Sequence, residues 1–319
     1  MKIVVLDGYT LNPGDNPWTE VEKLGDLTVH DRTPAEQILN RSRGADILLT
    51  NKTPLSAETI ANLDSLKCIC VLATGFNVVD IVEANKRSIP VCNIPVYGTN
   101  SVAQFTFALL LELCHRVGLH DEAVKAGEWI SCPDFSFWKV PLIELAGQKM
   151  GIVGFGRIGR HVGELAHAFG MEVLAADEIE VNPPDYAPFS WKSIEALFAE
   201  ADVISLHCPQ TASNAGFVNR ELLSTTKKGA IFLNDSRGGL MVEQDLADAL
   251  NSGQLGGAAV DVISSEPMSP DNPLLKARNC LVTPHMAWAT LAARNRLMQT
   301  TADNIAAFQK GKPTNVVNP

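Results

Sequence analysis

Three side chains with complementary chemistry follow three successive predicted strands. Arg237 lies in the segment Asn-Asp-Ser-Arg-Gly-Gly, Glu266 precedes a proline, and His285 follows Thr-Pro. An imidazole can donate a proton near neutral pH, a carboxylate can fix its tautomer, and a guanidinium can pair with a substrate carboxylate. Each residue alone is also explained as an ordinary strand-end or turn residue. Together, at consecutive strand ends, they favour reduction of a 2-keto acid by hydride transfer.

The stretch from residue 150 to residue 177 predicts the element that positions this chemistry. A short apolar run is followed by G-x-G-x-x-G with glycines at 154, 156 and 159, then by a helical pattern, a second apolar run and Asp177. Gly154 allows a tight turn, Gly156 lets a pyrophosphate approach the backbone, and Gly159 lets the helix pack closely on the strand. The segment therefore predicts a dinucleotide-binding unit rather than a simple connecting turn.

Asp177 also indicates which dinucleotide is bound. It lies 18 residues after Gly159 (177 − 159), where an acidic side chain accepts hydrogen bonds from the adenosine ribose. A carboxylate at this place repels a 2′-phosphate, and the next residues, Glu178-Ile179-Glu180, include no arginine. We therefore expect NAD (as NADH), with NADP the less favoured cofactor.

Composition limits the possible partners and the redox environment. The chain has 319 residues, a net charge of −10 and no cluster of basic residues, which argues against nucleic acid or an anionic membrane as partner. Neither a signal peptide nor a membrane span is expected. The seven cysteines are scattered, and Cys68-x-Cys70 is the only close pair. Reduced thiols in a cytoplasmic protein are expected, with a metal site or disulfide framework as the alternative.

The first hundred residues predict a small α/β domain. Apolar runs that predict strands alternate with helical segments at residues 34–43 and 56–63. The predicted strands cover residues 3–6, 45–50, 66–72 and 89–93. The simplest arrangement is a parallel sheet with helices on both faces. Thr74-Gly75 follows the third strand, where exposed backbone N–H groups would either bind a carboxylate or form an ordinary turn.

A strongly apolar helix is predicted from residue 102 to about 117, capped by Asn100-Ser101. Because it is apolar nearly all round, we expect it to be buried between domains or between subunits. A second helix is expected near residues 121–130. Four aromatic residues accompany and follow it, namely Trp129, Phe135, Phe137 and Trp138. They favour a subunit interface, with an intradomain core as the alternative.

The remaining chain predicts a doubly wound nucleotide-binding domain with six strands. These strands cover residues 150–153, 172–176, 202–208, 230–234, 257–263 and 280–283, with helices expected at 193–201, 219–225 and 241–250. A last helix, 291–309, is expected to return to the first domain. The first domain would then be discontinuous (residues 1–99 and 290–319), and residues 100–289 would form an insertion.

Other chemistry finds little support. The remaining histidines look structural; His207 ends a strand near the expected cofactor, and no His/Cys set has metal-ligand spacing. No G-x-S-x-G motif occurs, so acyl transfer is not indicated.

Over essentially its whole length, the chain resembles the D-isomer-specific 2-hydroxyacid dehydrogenases. The resemblance is carried by GFGRIG at 154–159, NDSRGG at 234–239, Asp261 with Glu266-Pro267, and Thr-Pro-His285. It implies a Rossmann NAD domain inserted into a discontinuous flavodoxin-like substrate domain, with a cleft between them. It also implies a homodimer built on the NAD domain, with residues 100–146 as dimerisation arm.

The resemblance also implies roles for individual residues. Arg237, Glu266 and His285 would be catalytic, with Arg237 and His285 also binding substrate. Substrate carboxylate would be bound by backbone N–H groups of Thr74-Gly75. Cofactor contacts are expected from the glycine motif, Asp177 and His285, and from Arg157, Ile158, Cys208, Pro209, Asp235, Ser236 and Asp261. Of these, Arg157-Ile158 would meet the pyrophosphate and Asp261 the nicotinamide amide.

Three further stretches resemble the glycerate dehydrogenase (hydroxypyruvate reductase) branch. They are residues 73–80, 97–104 and 285–290. Gln104 fits this branch, whereas Asp235 replaces a small residue or Thr and would add negative charge near the cofactor. The leading hypothesis is NADH-dependent reduction of hydroxypyruvate to D-glycerate. Alternatives are reduction of glyoxylate, a D-lactate-type or a phosphoglycerate-type substrate, or a dinucleotide-sensing binding protein. Trp138 and Trp288 are candidates for the substrate side-chain pocket.

Overall fold

The protein was analysed as a computed structural model that describes residues 1–318. The chain divides into two compact units. The first unit comprises Met1–Gly98 together with the segment from Ala289 onward, and the second comprises Thr99–Trp288. The chain thus leaves the first unit once and returns to it through its last helix.

Each unit is built on one parallel sheet. The strands are β1 (Lys2–Val5), β2 (Asp26–Val29), β3 (Ile47–Thr50), β4 (Cys68–Val71), β5 (Val91–Cys92), β6 (Lys149–Val153), β7 (Glu172–Ala176), β8 (Phe189–Trp191), β9 (Val203–Leu206), β10 (Ala230–Asn234), β11 (Leu255–Val260) and β12 (Cys280–Val282). The first sheet has the order β2-β1-β3-β4-β5, and the second has the order β12-β11-β10-β9-β6-β7-β8. All pairings between these strands are parallel.

Helices cover the two sheets. They are α1 (Thr19–Glu22), α2 (Ile38–Ser42), α3 (Ala57–Ala61), α4 (Ile81–Lys86), α5 (Thr99–His115), α6 (Val117–Lys125), α7 (Arg157–Ala168), α8 (Ile194–Glu200), α9 (Arg220–Ser224), α10 (Glu243–Ser252) and α11 (Leu291–Gln309). Short 3-10 helices lie at Ala35–Gln37, Gly238–Leu240 and Pro273–Lys276. The expected α/β class with two doubly wound parallel sheets is confirmed.

Strand order identifies where a ligand would bind in each sheet. The first sheet has the order 2-1-3-4-5 of flavodoxin-like domains, and the second has the Rossmann order 3-2-1-4-5-6 with a seventh strand added. In such sheets, ligands bind beyond the carboxyl ends of the strands where the order reverses. In the second unit this point lies between β6 and β9, directly after which come Gly154 and Cys208.

Two edge strands were not expected from the sequence. Both β2 and β8 lie at the margin of their sheets, and none of their residues is fully buried. A central strand of a parallel sheet is covered on both faces and is therefore a continuous apolar run, such as β3 or β9. An edge strand can lack that pattern, as β2 and β8 do, whereas the edge strands β5 and β12 are apolar throughout and were predicted.

The apolar helix α5 differs from its expected place. It begins at Thr99, so the supposed cap Asn100-Ser101 lies inside the helix. Leu110 and Cys114 belong to the same buried cluster as strand residues of β6 and β10, and α5 packs on α7. The helix is therefore buried within the second unit, because this unit's own sheet needs a cover on that face.

The helix after α5 begins earlier than expected. Arg116, at φ 46°, interrupts the helical path for one residue, and α6 then covers Val117–Lys125 instead of residues 121–130. No single helix within residues 1–318 is apolar and long enough to cross a membrane. Among the described residues, only α5 and α6 taken together have the length and apolar composition of a membrane span, and they are bent by 54° relative to each other.

Candidate active site

The glycine turn after β6 has the geometry that its sequence predicts. Gly154 has φ 92°, and a Cβ there would lie 2.5 Å from the backbone nitrogen of Cys208. A Cβ on Gly159 would lie 2.1 Å from the carbonyl oxygen of Gly154, so the third glycine permits close contact between helix and turn. Gly154 and Gly159 are therefore required by the fold itself.

Gly156 is different because the protein does not fill the space beside it. A Cβ at this position would meet nothing within 4 Å. Gly156 is the N-cap of α7, and no side chain caps the first turn of that helix. Open space at the N-terminus of a twelve-residue helix is what a dinucleotide pyrophosphate requires. The first helical residues, Arg157 and Ile158, would line this open space.

Asp177 lies at the end of β7, beside the glycine turn. One carboxylate oxygen accepts a hydrogen bond of 2.6 Å from the backbone N–H of Phe155. The side chain is nevertheless exposed, so its other oxygen remains accessible to the hydroxyl groups of a ribose. A bound dinucleotide would therefore place its adenosine ribose against a carboxylate that the turn already orients.

The loops after β9 and β10 are joined to each other. Ser236 donates a hydrogen bond of 2.6 Å from its hydroxyl to the carbonyl oxygen of Cys208, and its own N–H binds the Asn234 side chain at 3.1 Å. Burial raises the pKa of the Cys208 thiol to about 11, so this cysteine stays protonated. Cys208, the exposed Pro209 and Ser236 thus form one surface next to the glycine turn.

His285 and Glu266 lie in direct contact. The Nδ1 atom of His285 is 2.7 Å from a carboxylate oxygen of Glu266, which is the hydrogen bond expected from the sequence. Both side chains are partly exposed, at 27% and 34%. When Nδ1 donates to the carboxylate, the opposite ring nitrogen, Nε2, is left to exchange a proton with a ligand.

The backbone around His285 is held by Asp261. His285 has φ 51°, a left-handed conformation that costs a non-glycine residue on the order of 1 kcal/mol. Its N–H donates to the carbonyl oxygen of Asp261 at 2.8 Å. The N–H groups of Met286 and Ala287 donate to the two carboxylate oxygens at 2.9 and 2.8 Å, and the Thr283 hydroxyl donates at 2.6 Å. Asp261 therefore fixes the loop that presents the imidazole.

Asp261 is almost completely enclosed, at 1% exposure. Burial raises the pKa of its carboxyl group, while the hydrogen bonds from Thr283, Ala287 and Met286 act in the opposite direction. Four interactions from one short loop show a positioning role that sequence reasoning missed. Asp261 directly follows the last residue of β11, and no local sequence pattern marks it as the anchor of the His285 loop. Its contact with the nicotinamide amide stays a prediction.

Arg237 follows β10 in an extended conformation. Its carbonyl oxygen accepts a hydrogen bond of 3.0 Å from the Asn234 side chain, and its guanidinium donates to the Ser236 carbonyl oxygen at 2.7 Å. A Cβ on the next residue, Gly238, would lie 1.9 Å from the backbone carbon of Ile263. This glycine lets the Arg237 loop lie against the loop that leads to Glu266, so the structure brings the two predicted loops together.

Asp235 does not lie where the sequence suggested. Its side chain is 1% exposed and turns into the second unit, where the Thr106 hydroxyl of α5 donates to it. The expectation that its charge lies near cofactor phosphates or ribose is therefore wrong for the side chain. The reason is that Thr106 and His207 provide a polar partner inside the fold, which a single sequence does not reveal.

Asp235 and His207 form a buried pair. Nδ1 of His207 lies 3.3 Å from one carboxylate oxygen of Asp235, and Nε2 lies 2.8 Å from the Ser205 hydroxyl. Burial raises the pKa of Asp235 to about 7 and lowers that of His207 to about 3. Both shifts favour neutral groups, with the proton on Asp235 and an uncharged imidazole on His207.

Thr74 and Gly75 belong to the first unit and follow β4. The Thr74 hydroxyl donates a hydrogen bond of 2.8 Å to the Ile94 carbonyl oxygen, and the Asn93 side chain donates to the Thr74 carbonyl oxygen at 2.8 Å. The loop is thus tied to the end of β5. Its binding of a substrate carboxylate stays a prediction.

The two tryptophans proposed for the substrate pocket have different surroundings. Trp138 is 66% exposed. The indole N–H of Trp288 donates a hydrogen bond of 2.9 Å to the carbonyl oxygen of His285. Trp288 therefore stabilises the His285 loop through this hydrogen bond. Its place in the substrate side-chain pocket stays a prediction.

Taken together, the Rossmann sheet, the open glycine turn and the His285–Glu266 pair define a nicotinamide-dinucleotide-dependent oxidoreductase. Residues 107–287 match the family model described as D-isomer specific 2-hydroxyacid dehydrogenase, NAD binding domain. The chain belongs to the family of D-isomer-specific 2-hydroxyacid dehydrogenases.

Individual relatives agree over most of the chain. A hydroxypyruvate reductase of Blautia hydrogenotrophica is 50% identical over 321 residues, covering 100% of both chains. A glycerate dehydrogenase of Methylorubrum extorquens is 38% identical and covers 88% of both. Among solved structures, an acyclic imino acid reductase in complex with NADPH and D-Arg is 30% identical, with a TM-score of 0.85, covering 99% of this chain and 100% of that chain.

Proposed function

We propose that the protein reduces hydroxypyruvate to D-glycerate with NADH. The observation that carries this proposal is the His285–Glu266 contact of 2.7 Å on a loop fixed by Asp261. It is supported by the 50% identity to a hydroxypyruvate reductase over the full chain. A dinucleotide-sensing protein without turnover would not need a hydrogen-bonded acid–base pair at this strand end.

Each member of the trio has a distinct task in this reaction. When bound, NADH supplies the hydride that adds to the carbonyl carbon of the keto acid. His285 donates the proton that the resulting alkoxide requires, through Nε2. Glu266 accepts a hydrogen bond from Nδ1 and thereby orients the ring and fixes its tautomer. Arg237 pairs with the substrate carboxylate and polarises the neighbouring carbonyl group.

Further residues would bind the substrate and the cofactor without transferring a proton. Backbone N–H groups of Thr74-Gly75 would bind the substrate carboxylate, and Gly156 with the start of α7 would hold the pyrophosphate. Asp177 would accept hydrogen bonds from the ribose and exclude the 2′-phosphate of NADPH. NADH is therefore the proposed cofactor, although a relative in the same fold holds NADPH.

We also propose a homodimer formed through the segment that follows α5. Ile130 and Phe135 are each 91% exposed, and Trp129 and Trp138 are 51% and 66% exposed. The exposure of Trp129, Phe135 and Trp138 favours an interface over an intradomain core, whereas Phe137 is partly buried beside the His120 ring. Large apolar side chains grouped in one segment are typical of subunit interfaces.

A panel of keto acids tests the substrate. Initial rates with NADH should give the highest kcat/KM for hydroxypyruvate, followed by glyoxylate, pyruvate and 3-phosphohydroxypyruvate. The phosphorylated acid should be poor, since neither the sequence nor the site shows a group of basic side chains for a phosphate. A higher kcat/KM for glyoxylate or pyruvate would identify that acid, and not hydroxypyruvate, as the preferred substrate. Absence of NADH oxidation with all four acids would overturn the proposal that the protein is a reductase.

A further inference from the structure

Three of the seven cysteines meet inside the first unit, and the proposed reaction uses none of them. Cys68 and Cys70 are two residues apart on β4, so their side chains leave the same face of the sheet. Cys92 on β5 is the register partner of Cys70. All three cysteines are 0% exposed and none forms a disulfide.

Their sulfur atoms form a compact triangle. Each Sγ lies within 4.8 Å of the other two. An ion in the plane of three thiolates, with a metal–sulfur distance of about 2.3 Å, would separate the sulfurs by about 4 Å. Small rotations of the three side chains are therefore enough to surround one ion.

We propose that Cys68, Cys70 and Cys92 form a binding site for one thiophilic divalent cation that accepts three sulfur ligands. Thiolates select soft ions over Mg²⁺ or Ca²⁺. A divalent ion reduces the charge of three thiolates from −3 to −1, whereas Cu(I) would leave −2 in an interior that disfavours charge. On binding, the three sulfur–metal bonds replace the three S–H bonds, and the three protons pass to the solvent.

Cadmium is the probe for this site. The full-length reduced protein, freed of metal and titrated with Cd²⁺, should bind one ion per chain after gel filtration. It should also show thiolate-to-cadmium charge-transfer absorption, release protons, and unfold at a higher temperature because the ion binds only the folded state. Absence of stoichiometric cadmium uptake by the native protein would overturn the proposal, whatever its reductase activity.

Variants locate the bound ion. Cys70→Ser should weaken cadmium binding at least tenfold and abolish the charge-transfer band. Because a buried hydroxyl destabilises an apolar core, Cys92→Val, which replaces the thiol by an apolar side chain suited to a strand, provides a second test. Cys114→Ser, which changes a buried cysteine of α5 outside the cluster, should bind like the native protein. Unchanged cadmium binding in both cluster variants would show that the ion lies elsewhere.

Discussion

Among the individual residues, Asp177 leads to a prediction on cofactor choice. Its carboxylate is exposed beside the glycine turn and is oriented by the Phe155 N–H. Repulsion between this carboxylate and a 2′-phosphate should dominate the preference for NADH, because no basic side chain follows it directly.

Asp177→Ser should therefore narrow the ratio of kcat/KM for NADH over NADPH by at least about tenfold, equivalent to about 1.4 kcal/mol. Steady-state kinetics with hydroxypyruvate and each cofactor measures this ratio. Glu178→Gln, which removes a neighbouring exposed charge, is the matched control and should change the ratio much less. If Asp177→Ser keeps the ratio of the native protein, Asp177 is not the ribose acceptor.

The buried Asp235–His207 pair leads to a prediction on stability. Between about pH 4 and pH 6.5 the folded pair holds one proton, on Asp235, because burial opposes both charges. The unfolded chain also holds one proton on these groups, but on the histidine. The numbers of bound protons are equal, so the native pair adds little pH dependence in this range.

Asp235→Asn removes that balance. The unfolded chain still protonates His207 below pH 6.5, whereas the folded chain, with the histidine pKa lowered to about 3, does not. The unfolded state then binds more protons, so stability falls as the pH falls. Urea unfolding should show this variant losing about 2 kcal/mol more than the native protein between pH 7.5 and 5.5. The double variant Asp235→Asn, His207→Gln should lose this additional dependence of the free energy of unfolding on pH. Equal pH dependence in the native protein, the single variant and the double variant would contradict a neutral pair.

Among the elements of the second unit, the loop from Thr283 to Ala287 positions the imidazole of His285. The Asp261 carboxylate accepts hydrogen bonds from three residues of this loop, and its carbonyl oxygen binds the N–H of His285. An asparagine would present an NH₂ group to at least one of these donors. The loop would then lose the arrangement that keeps His285 at its positive φ.

Asp261→Asn should accordingly lower kcat with hydroxypyruvate about 10- to 100-fold, because a correctly positioned general acid contributes about 10²–10⁴-fold to the rate. The KM for NADH should change less than about threefold. Asp202→Asn is a matched control, because the Asp202 carboxylate also accepts a hydrogen bond from a backbone N–H, that of Lys149 at the start of β6. This control should keep its kcat. A native kcat in Asp261→Asn would contradict the positioning role.

Sequence reasoning recognised the elements that are buried on both faces. Strands β7 and β10 were predicted with their observed bounds, because both are short apolar runs bounded by polar or glycine residues. It missed β2 and β8, edge strands without a buried apolar run, although it predicted β5 and β12 at the opposite edges. For the site, motifs predicted the His285–Glu266 contact, but the Asp235–His207 and Asp261 interactions depend on tertiary proximity and have no local pattern.

For the whole molecule, the exposed apolar segment after α5 leads to a prediction of assembly. Phe135 and Trp138 are 91% and 66% exposed, so their replacement removes little packing within the chain. Burial of such side chains in a partner surface would stabilise a dimer by about 25 cal/mol per Å² of apolar area, before the costs of association.

The double variant Phe135→Ser, Trp138→Ser should shift the protein from dimer to monomer at micromolar concentration, as measured by sedimentation velocity. Val82→Ser, which changes an apolar residue of the first unit that is 63% exposed, should leave the dimer intact. A native protein that sediments as a monomer, or a double variant that remains fully dimeric, would contradict this interface.

The central claim is that His285 supplies the proton when hydroxypyruvate is reduced. The most direct measurement is kcat of His285→Ala with hydroxypyruvate and saturating NADH, with binding of NADH verified separately. General acid catalysis predicts a fall of about 10²–10⁴-fold with little change in NADH affinity. A variant that keeps more than about a tenth of the native kcat would show that the proton comes from another group.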